Sequence, residues 1–425
     1  MNTLYKGTLR LCLAFAILSL CSPVLFAATR CVDPHGRHGC YRTVSAAVAA
    51  AGQGDTIFVE PGTYTEDVVV DRSLSLVGEN PRNTIIDASG LSHGVDIDGM
   101  NHPGLSHVVV TGFTIENANF SGILITNASA ITISNNLVRY NDKNLSNGAC
   151  PGLPPPFSPP DDLDCGEGIH LSGVDHSTFN GNTVEHNAGG ILISDDSGAT
   201  HDNVLTKNIV QSNVPDCGIT LASHSGDGVW RNTVDANISA YNGGAGVGIF
   251  APGPGTKDYA NVILNNVLTG NGQTGVAMHN HAAPPNTPPV VFSDNVIVGN
   301  QISRNAADKD DATTSGPTGI NLYSLTPMPG TIIDENTIFQ EALDVAVKIP
   351  PSTQDGAPDV QVHLNDLYRP VGVQNTGTAT VDATENWWQC PWGPGGHGCS
   401  TIIGSGVLFN PWLPSPANDH NHHDH

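Results

Sequence analysis

The side chains able to do chemistry fall at matching places in successive loops. "SDDSGATHD" (194–202) carries Asp195 and Asp196, and "SHSGDGVW" (223–230) carries His224 and Asp227. Two carboxylates whose surroundings split their pKa values can act as acid and base, or as acid and nucleophile, at a glycosidic bond. Asp195 or Asp196 with Asp227 is therefore the candidate catalytic pair. Neighbours in an extended segment face opposite ways, so the pair is expected across loops rather than within the double aspartate. The next loops, "APGPGTKDY" (251–259) and "HNHAAPPNTPP" (279–289), add Lys257, Asp258, His279 and His281. With Phe250 and Tyr323 nearby, His224, His279 and His281 form a candidate substrate-binding set, since rings stack a sugar and imidazoles bond its hydroxyls. Elimination at a uronate would instead need a base and a cation, for which Arg231 and Lys257 are the nearest positive groups. The same pattern also describes ordinary polar loops.

Two acidic runs offer hard oxygen ligands of the kind calcium takes. One is "DDLDCGE", with Asp161, Asp162, Asp164 and Glu167; the other is "DKDD", with Asp308, Asp310 and Asp311. Neither has the spacing of a known calcium loop, and solvated acidic loops explain both. The final "DHNHHDH" (419–425) has donors suited to zinc, copper or nickel.

A repeat positions these residues. Asparagines five apart recur at 136/141, 182/187, 208/213, 237/242, 266/271 and 295/300, with steps of 29 residues after Asn208. In phase with them runs a glycine followed by apolar alternation: "GILI" at 190, "GITL" at 218, "GVGI" at 246, "GVAM" at 275 and "GINL" at 319. Such self-similarity marks a solenoid, and the short β-prone runs specify a parallel β-helix of about eleven coils. Asparagines at one repeat position then stack, bond up and down the column, and suit the left-handed backbone of a corner. Alternation puts Ile191, Ile219, Val247, Val276 and Met278 in the core. It turns Phe250 and His279 outward, so His279 is expected to be exposed.

Insertions at 142–167 and 301–318 break the period just before a glycine strand. They should wall the two ends of a lateral floor, with function carried in loops over a rigid scaffold. Residues 41–55, with Val44, Ala47, Val48 and Ala51 at helical spacing, read as an N-terminal capping helix. Trp387, Trp388 and Trp392 read as an apolar plug at the other end.

Residues 1–27 have the form of an export signal: Lys6 and Arg10, an apolar run, then Ala27. Its removal takes the formal charge from −24 to −26, a poor field for nucleic acid, an anionic bilayer or a polyuronate. Outside that signal no run is apolar enough to span a membrane. Six of the seven remaining cysteines fall into short-range pairs: Cys31 with Cys40, Cys150 with Cys165, and Cys390 with Cys399. Three closed loops suit an oxidising, extracellular or periplasmic setting. Cys217 is left as a buried free thiol.

The capping segment leading into "GDTIFVEPGTYTEDVVV" and "SLSLVGENPRNTIID", and the ending "VDATENWW" with "LFNPWL", resemble secreted right-handed parallel β-helix repeat proteins of the pectate-lyase-like superfamily, in their carbohydrate-binding and sugar-hydrolysing branch. The resemblance covers about residues 31–413 and implies the right hand of the helix. That superfamily includes pectate lyases, polygalacturonases, pectin methylesterases and uronan epimerases. No "QDTL" or "DFIFG" run carries over esterase residues. "DPH" at Asp33–His35 matches an epimerase triplet but precedes the cap, outside any coil.

The reading is an all-β, single-stranded right-handed parallel β-helix at 28–413, with an N-terminal capping helix, a leader at 1–27 and a flexible His-rich tail at 414–425. It is expected to be a monomer that binds a carbohydrate or cell-wall polysaccharide on its lateral face. A structural or adhesive surface protein, and a polysaccharide-degrading hydrolase or lyase, are the alternatives. No cofactor is required by the sequence, and calcium is the candidate ion.

Overall fold

The computed structural model describes residues 27–142, 153, 155, 162–281, 288–310, 312–352, 357–368 and 370–417, of which 162 and 163 by backbone alone. The leader up to residue 26 and the tail beyond 417 lie outside them, as do Asp161, Asp311 and Cys150.

The chain winds into four parallel sheets of 14, 12, 11 and 4 strands. One coil shows the pattern: Thr178–Asn180, Thr183–Glu185 and Gly189–Ser194 lie in three different sheets, and Val204–Thr206 then stacks on Thr178–Asn180. A parallel neighbour needs a long crossover, and here the rest of the coil supplies it. Inward residues of the glycine strands are sealed: Ile191, Ile193, Ile219, Leu221, Val247, Ile249, Val276 and Met278 are all fully buried.

Corners are held by asparagine columns. Asn136, Asn182, Asn208, Asn237, Asn266, Asn300, Asn336, Asn365 and Asn386 form one unbroken ladder, each side-chain amide donating to the next oxygen at 2.9–3.2 Å. A second runs from Asn141 through Asn187, Asn213, Asn242, Asn271 and Asn305 to Glu341. Each oxygen also accepts the backbone N–H of the preceding asparagine, as Asn266 does from Asn237. These bonds satisfy corner groups that burial would otherwise leave without partners.

Two details differ from the sequence reading. The pair 295/300 does not repeat 266/271. Asn300 continues the first ladder, while Asn295 ends a third, from Asn203 through Asn232 and Asn261. The left-handed backbone belongs to the residue before each column position, such as Lys207, Ala236, Asn265 and Gly299, not to the column asparagine. The amide is chosen for its hydrogen bonds; the preceding residue makes the bend.

The cap helix is Val44–Ala50, shorter than its segment. Thr43 accepts from Ala46 N–H, and the Glu66 carboxylate takes the N–H groups of Val44 and Ser45. Val44, Ala47, Val48 and Ala51 all face the core. At the far end Trp388 is fully buried and Trp387 nearly so, but Trp392 is 75% exposed and takes no part in the plug. It sits inside the Cys390–Cys399 loop. Cys31–Cys40 and Cys390–Cys399 are bonded as expected, and Cys165 is disulfide-bonded. Asp33 caps the loop after it, accepting from His35 and Arg37 N–H groups. Among the described residues no helix is long and apolar enough to cross a membrane.

Candidate functional site

The floor is a row of neighbouring strands, Gly189–Ser194, Ile219–Ala222, Val247–Phe250, Val276–Asn280 and Thr318–Ser324. Their register places Ser194, Ala222, Phe250, His279 and Tyr323 in one outward column. A cleft of about 400 Å³ lies over this row. Asp164, from the first insertion, and Asp310, from the second, stand in its walls, with Asp216, His224, Phe250 and His281 between them. The walled floor is therefore present.

Its charged centre is a chain of buried groups. His224 Nδ1 donates to Asp196 Oδ1 at 2.9 Å, and His224 Nε2 lies 3.5 Å from Asp164 Oδ2. Behind Asp196, Ser194 Oγ donates to its other oxygen at 2.6 Å. Ser194 has thereby used its proton, so His170 Nε2, 2.9 Å from the same hydroxyl, is the donor there. Burial alone would raise the Asp196 pKa. Hydrogen bonds and charge from His170 and His224 outweigh it and hold the carboxyl well below the usual range. Burial likewise disfavours charge on His224, but Asp196, Asp164 and Asp195 raise its pKa to about 9. At neutral pH the pair is an imidazolium beside a carboxylate.

The pairing expected from sequence does not form. Asp195 is fully buried and engaged: Oδ1 accepts from His224 and Ser225 N–H, Oδ2 from Ser223 Oγ and Gly228 N–H. It shapes the turn that presents His224 and has no face toward the cleft. Asp227 is exposed at the tip of that turn and does not line the cleft. Asp196 is the member of the double aspartate that points toward the site, and its counterpart is Asp164. Arg231 is spent on Asp202.

The expected ring cluster forms, with one change of role. His279 contacts Phe250, His281 and Tyr323 at centroid distances of 5.6, 5.7 and 6.3 Å. It faces outward as the alternation required, yet is 1% exposed, because the second insertion folds over it. Its Nε2 pairs with Asp308 Oδ2 at 3.0 Å, and Asp308 also takes Asn321 Nδ2 and Asp310 N–H. His279 thus sits beneath the wall, joined to Asp308, rather than exposed on the floor. Tyr323 lies beyond that wall, with Lys348 Nζ 5.2 Å from its ring centre. Phe250 and His281 line the cleft itself.

Metal-capable groups overlap the site. Asp164, Glu167 and Asp216 bring oxygens within 4.8 Å of one another, as do the ligand atoms of Asp164, Asp196 and His224. The first set fits a hard cation such as calcium. Of the run predicted to do this, Asp164 and Glu167 take part; the Asp161 and Asp162 side chains lie outside the described residues. His170 and Asp216 were missed. His170 has a signal, a histidine where the neighbouring coils carry Leu124 and Leu192. Cys217 is a buried free thiol at the cleft, its pKa pushed up by burial.

The family model described as a right handed beta helix region matches residues 81–251. No curated protein matches the sequence. Among solved structures, a pectate lyase is 14% identical, with TM-score 0.50 over 81% of this chain and 80% of that one. The Dettilon tailspike protein is 16% identical, with TM-score 0.50 over 78% of this chain and 64% of that one. At these identities the likeness speaks for the fold alone. The chain is a right-handed parallel β-helix solenoid, the fold that the matching family model and these structures share.

Proposed function

We propose that the protein is a polysaccharide-degrading enzyme that hydrolyses a neutral glycan in the cleft. The observation that carries this is the Asp164–His224–Asp196 line at the cleft wall. Burying an ionised pair costs more than its attraction usually returns, and a face that only holds sugar has no need of one. Hydrolysis does: the leaving oxygen needs a proton, and the opposite side needs a carboxylate. His224 has a proton to give from Nε2, Asp196 and Asp164 keep the ring charged and oriented, and Asp310, in the other wall of the cleft, is the base. Phe250 and His281 hold the sugar. Binding without turnover, the first expectation from the sequence, uses the same rings but leaves the buried pair without a role.

The described lining residues include Asp164, Asp216 and Asp310 and no lysine or arginine, so a polyanion would be repelled. Elimination at a uronate is the second reading. It requires a cation to offset the substrate carboxylate, and Asp164, Glu167 and Asp216 would hold one that supplies that charge. The local disulfides support an extracytoplasmic setting, and we take the protein to act as a monomer.

The test is incubation with neutral and uronate polysaccharides, scoring new reducing ends and unsaturated ends, with and without chelator. New reducing ends from a neutral glycan, lost in Asp164→Asn and His224→Ala, are expected. Unsaturated ends from a polyuronate, only with calcium, would favour the second reading. Binding with no product from any substrate would return the cleft to a binding role.

A further inference from the structure

We propose that Asp175, His176, His201 and Asp202 form a surface site for a borderline transition-metal cation such as zinc, copper or nickel. None of the four lines the cleft. Successive coils carry the two pairs in opposite order, "DH" then "HD", and Asp175 bridges His201 in parallel register, so the four side chains share one patch.

One ring nitrogen of His176, one of His201 and one carboxylate oxygen of Asp202 all lie within 4.8 Å of one another. Each ring also meets a carboxylate: His176 Nδ1 is 2.6 Å from Asp175 Oδ1, and His201 Nδ1 is 2.8 Å from Asp202 Oδ2. A carboxylate can only accept, so Asp175 keeps the proton of a neutral His176 on Nδ1 and its lone pair on Nε2, whereas at His201 the ion takes the place of the Nδ1 proton and bridges that nitrogen to Asp202. Histidines that bind metal are oriented by this kind of partner. Two imidazoles with a carboxylate suit zinc, copper or nickel; calcium, which takes oxygen ligands, is disfavoured.

One ligand is already fixed in place. The His201 ring stacks on Trp230 at 4.7 Å and 12°, and Trp230 on Tyr259 at 5.6 Å and 10°. The other can move, since the His176 side chain is 67% exposed. Ligand atoms around a tetrahedral ion stand closer than 4.8 Å, so His176 closes on His201 when the ion binds. Arg231 competes for Asp202, with Nε and Nη2 at 2.8 and 2.6 Å from its two oxygens.

The experiment titrates the full-length protein with zinc by calorimetry and with copper by tryptophan fluorescence. The His-rich tail contributes equally to every variant, so the differences report this site. His176→Ala and His201→Ala should each lose one zinc equivalent, or weaken it by at least the roughly 10–100-fold that removing a ligand's outer partner already costs. Copper quenching should fall in His176→Ala, which leaves the His201–Trp230 stack in place, and in Trp230→Phe. Arg231→Ala should bind zinc more tightly by freeing Asp202. Unchanged zinc stoichiometry, affinity and quenching in His176→Ala, with the melting temperature kept, would overturn the proposal. So would loss of zinc binding in Arg231→Ala.

Discussion

His224 and Asp196 come from successive coils and meet in a 2.9 Å hydrogen bond, with the ring 10% and the carboxylate 1% exposed. The bond fixes ring orientation and charge together, because the carboxylate favours the imidazolium while Ser194 and His170 hold the carboxylate from behind. Asp196→Asn should therefore lower the His224 pKa from about 9. Activity on the glycan should drop by about 100-fold or more at pH 8, where the proton donor is lost, and by less near pH 5. A pH–rate profile of wild type and variant checks this, the alkaline limb moving toward acid. Stability follows the same sign. The raised pKa adds stability below the unfolded value of 6.5, and that increment is lost as pH rises through about 9.

Asn266 makes the second prediction. Its oxygen accepts Asn237 N–H and Nδ2, and its own Nδ2 donates to Val234 O and Asn300 Oδ1. Leucine there removes all four bonds and leaves several of their partners buried and unsatisfied, at about 1–3 kcal/mol for each such group. Asn266→Leu should cost about 3 kcal/mol or more in urea unfolding. A loss below about 0.5 kcal/mol would show that the column is not what holds the corner.

The column was legible because period and residue type coincide, as did the sealed strands, where Val276 and Met278 alternate with Ala277. The register at 295/300 misled because an insertion after His281 shifted the coil, and five-residue spacing separates both the third column from the first and the first from the second. Alternation also told which way His279 points, but not which chain lies on top of it. That depends on how residues 301–318 fold back, and no local pattern encodes it. For the same reason Asp164 read only as part of an acidic run. Its place beside His224 follows from the path of a loop with no period. Asp195 and Asp196 are indistinguishable in sequence; the turn at Ser223–Gly228 claims one and leaves the other facing the site.

A third prediction concerns Asp258, which is fully buried, with Oδ1 accepting from Asn261 Nδ2 at 2.7 Å. Burial raises its pKa well above the ordinary carboxylate value of 3.8, and the charge of Asp195 adds to this. The folded state thus favours the protonated form, so its contribution is present below pH 3.8 and is lost as pH rises toward the folded pKa. Asparagine keeps the acceptor and removes the ionisation. Asp258→Asn should raise the melting temperature at pH 7 and leave it nearly unchanged at pH 3.5. Equal effects at both values would mean that packing, not charge, sets the difference.

The last prediction separates two rings that touch at 5.6 Å, Phe250 and His279. Phe250 is partly exposed in the cleft, so truncating it removes a stacking face and little core area. Phe250→Ala should raise KM for the glycan by about 10-fold, leave kcat within a few-fold, and barely change the melt. His279 is sealed beneath the wall, and Asp308 depends on it: hydrogen bonding and charge from His279 hold that carboxyl below the usual range against the cost of burial. His279→Ala leaves the buried Asp308 carboxyl without its ring partner, at about 1–3 kcal/mol for a buried group left unsatisfied. It should therefore lower the melting temperature and loosen the 301–318 wall, with KM raised as a consequence. Asp308→Ala, which takes the charge away as well, should restore part of the lost stability when combined with His279→Ala. Thermal melts and steady-state kinetics on the two single variants and the double variant decide it. If His279→Ala melts like wild type while binding is lost, His279 contacts the sugar directly and the wall is not fastened there.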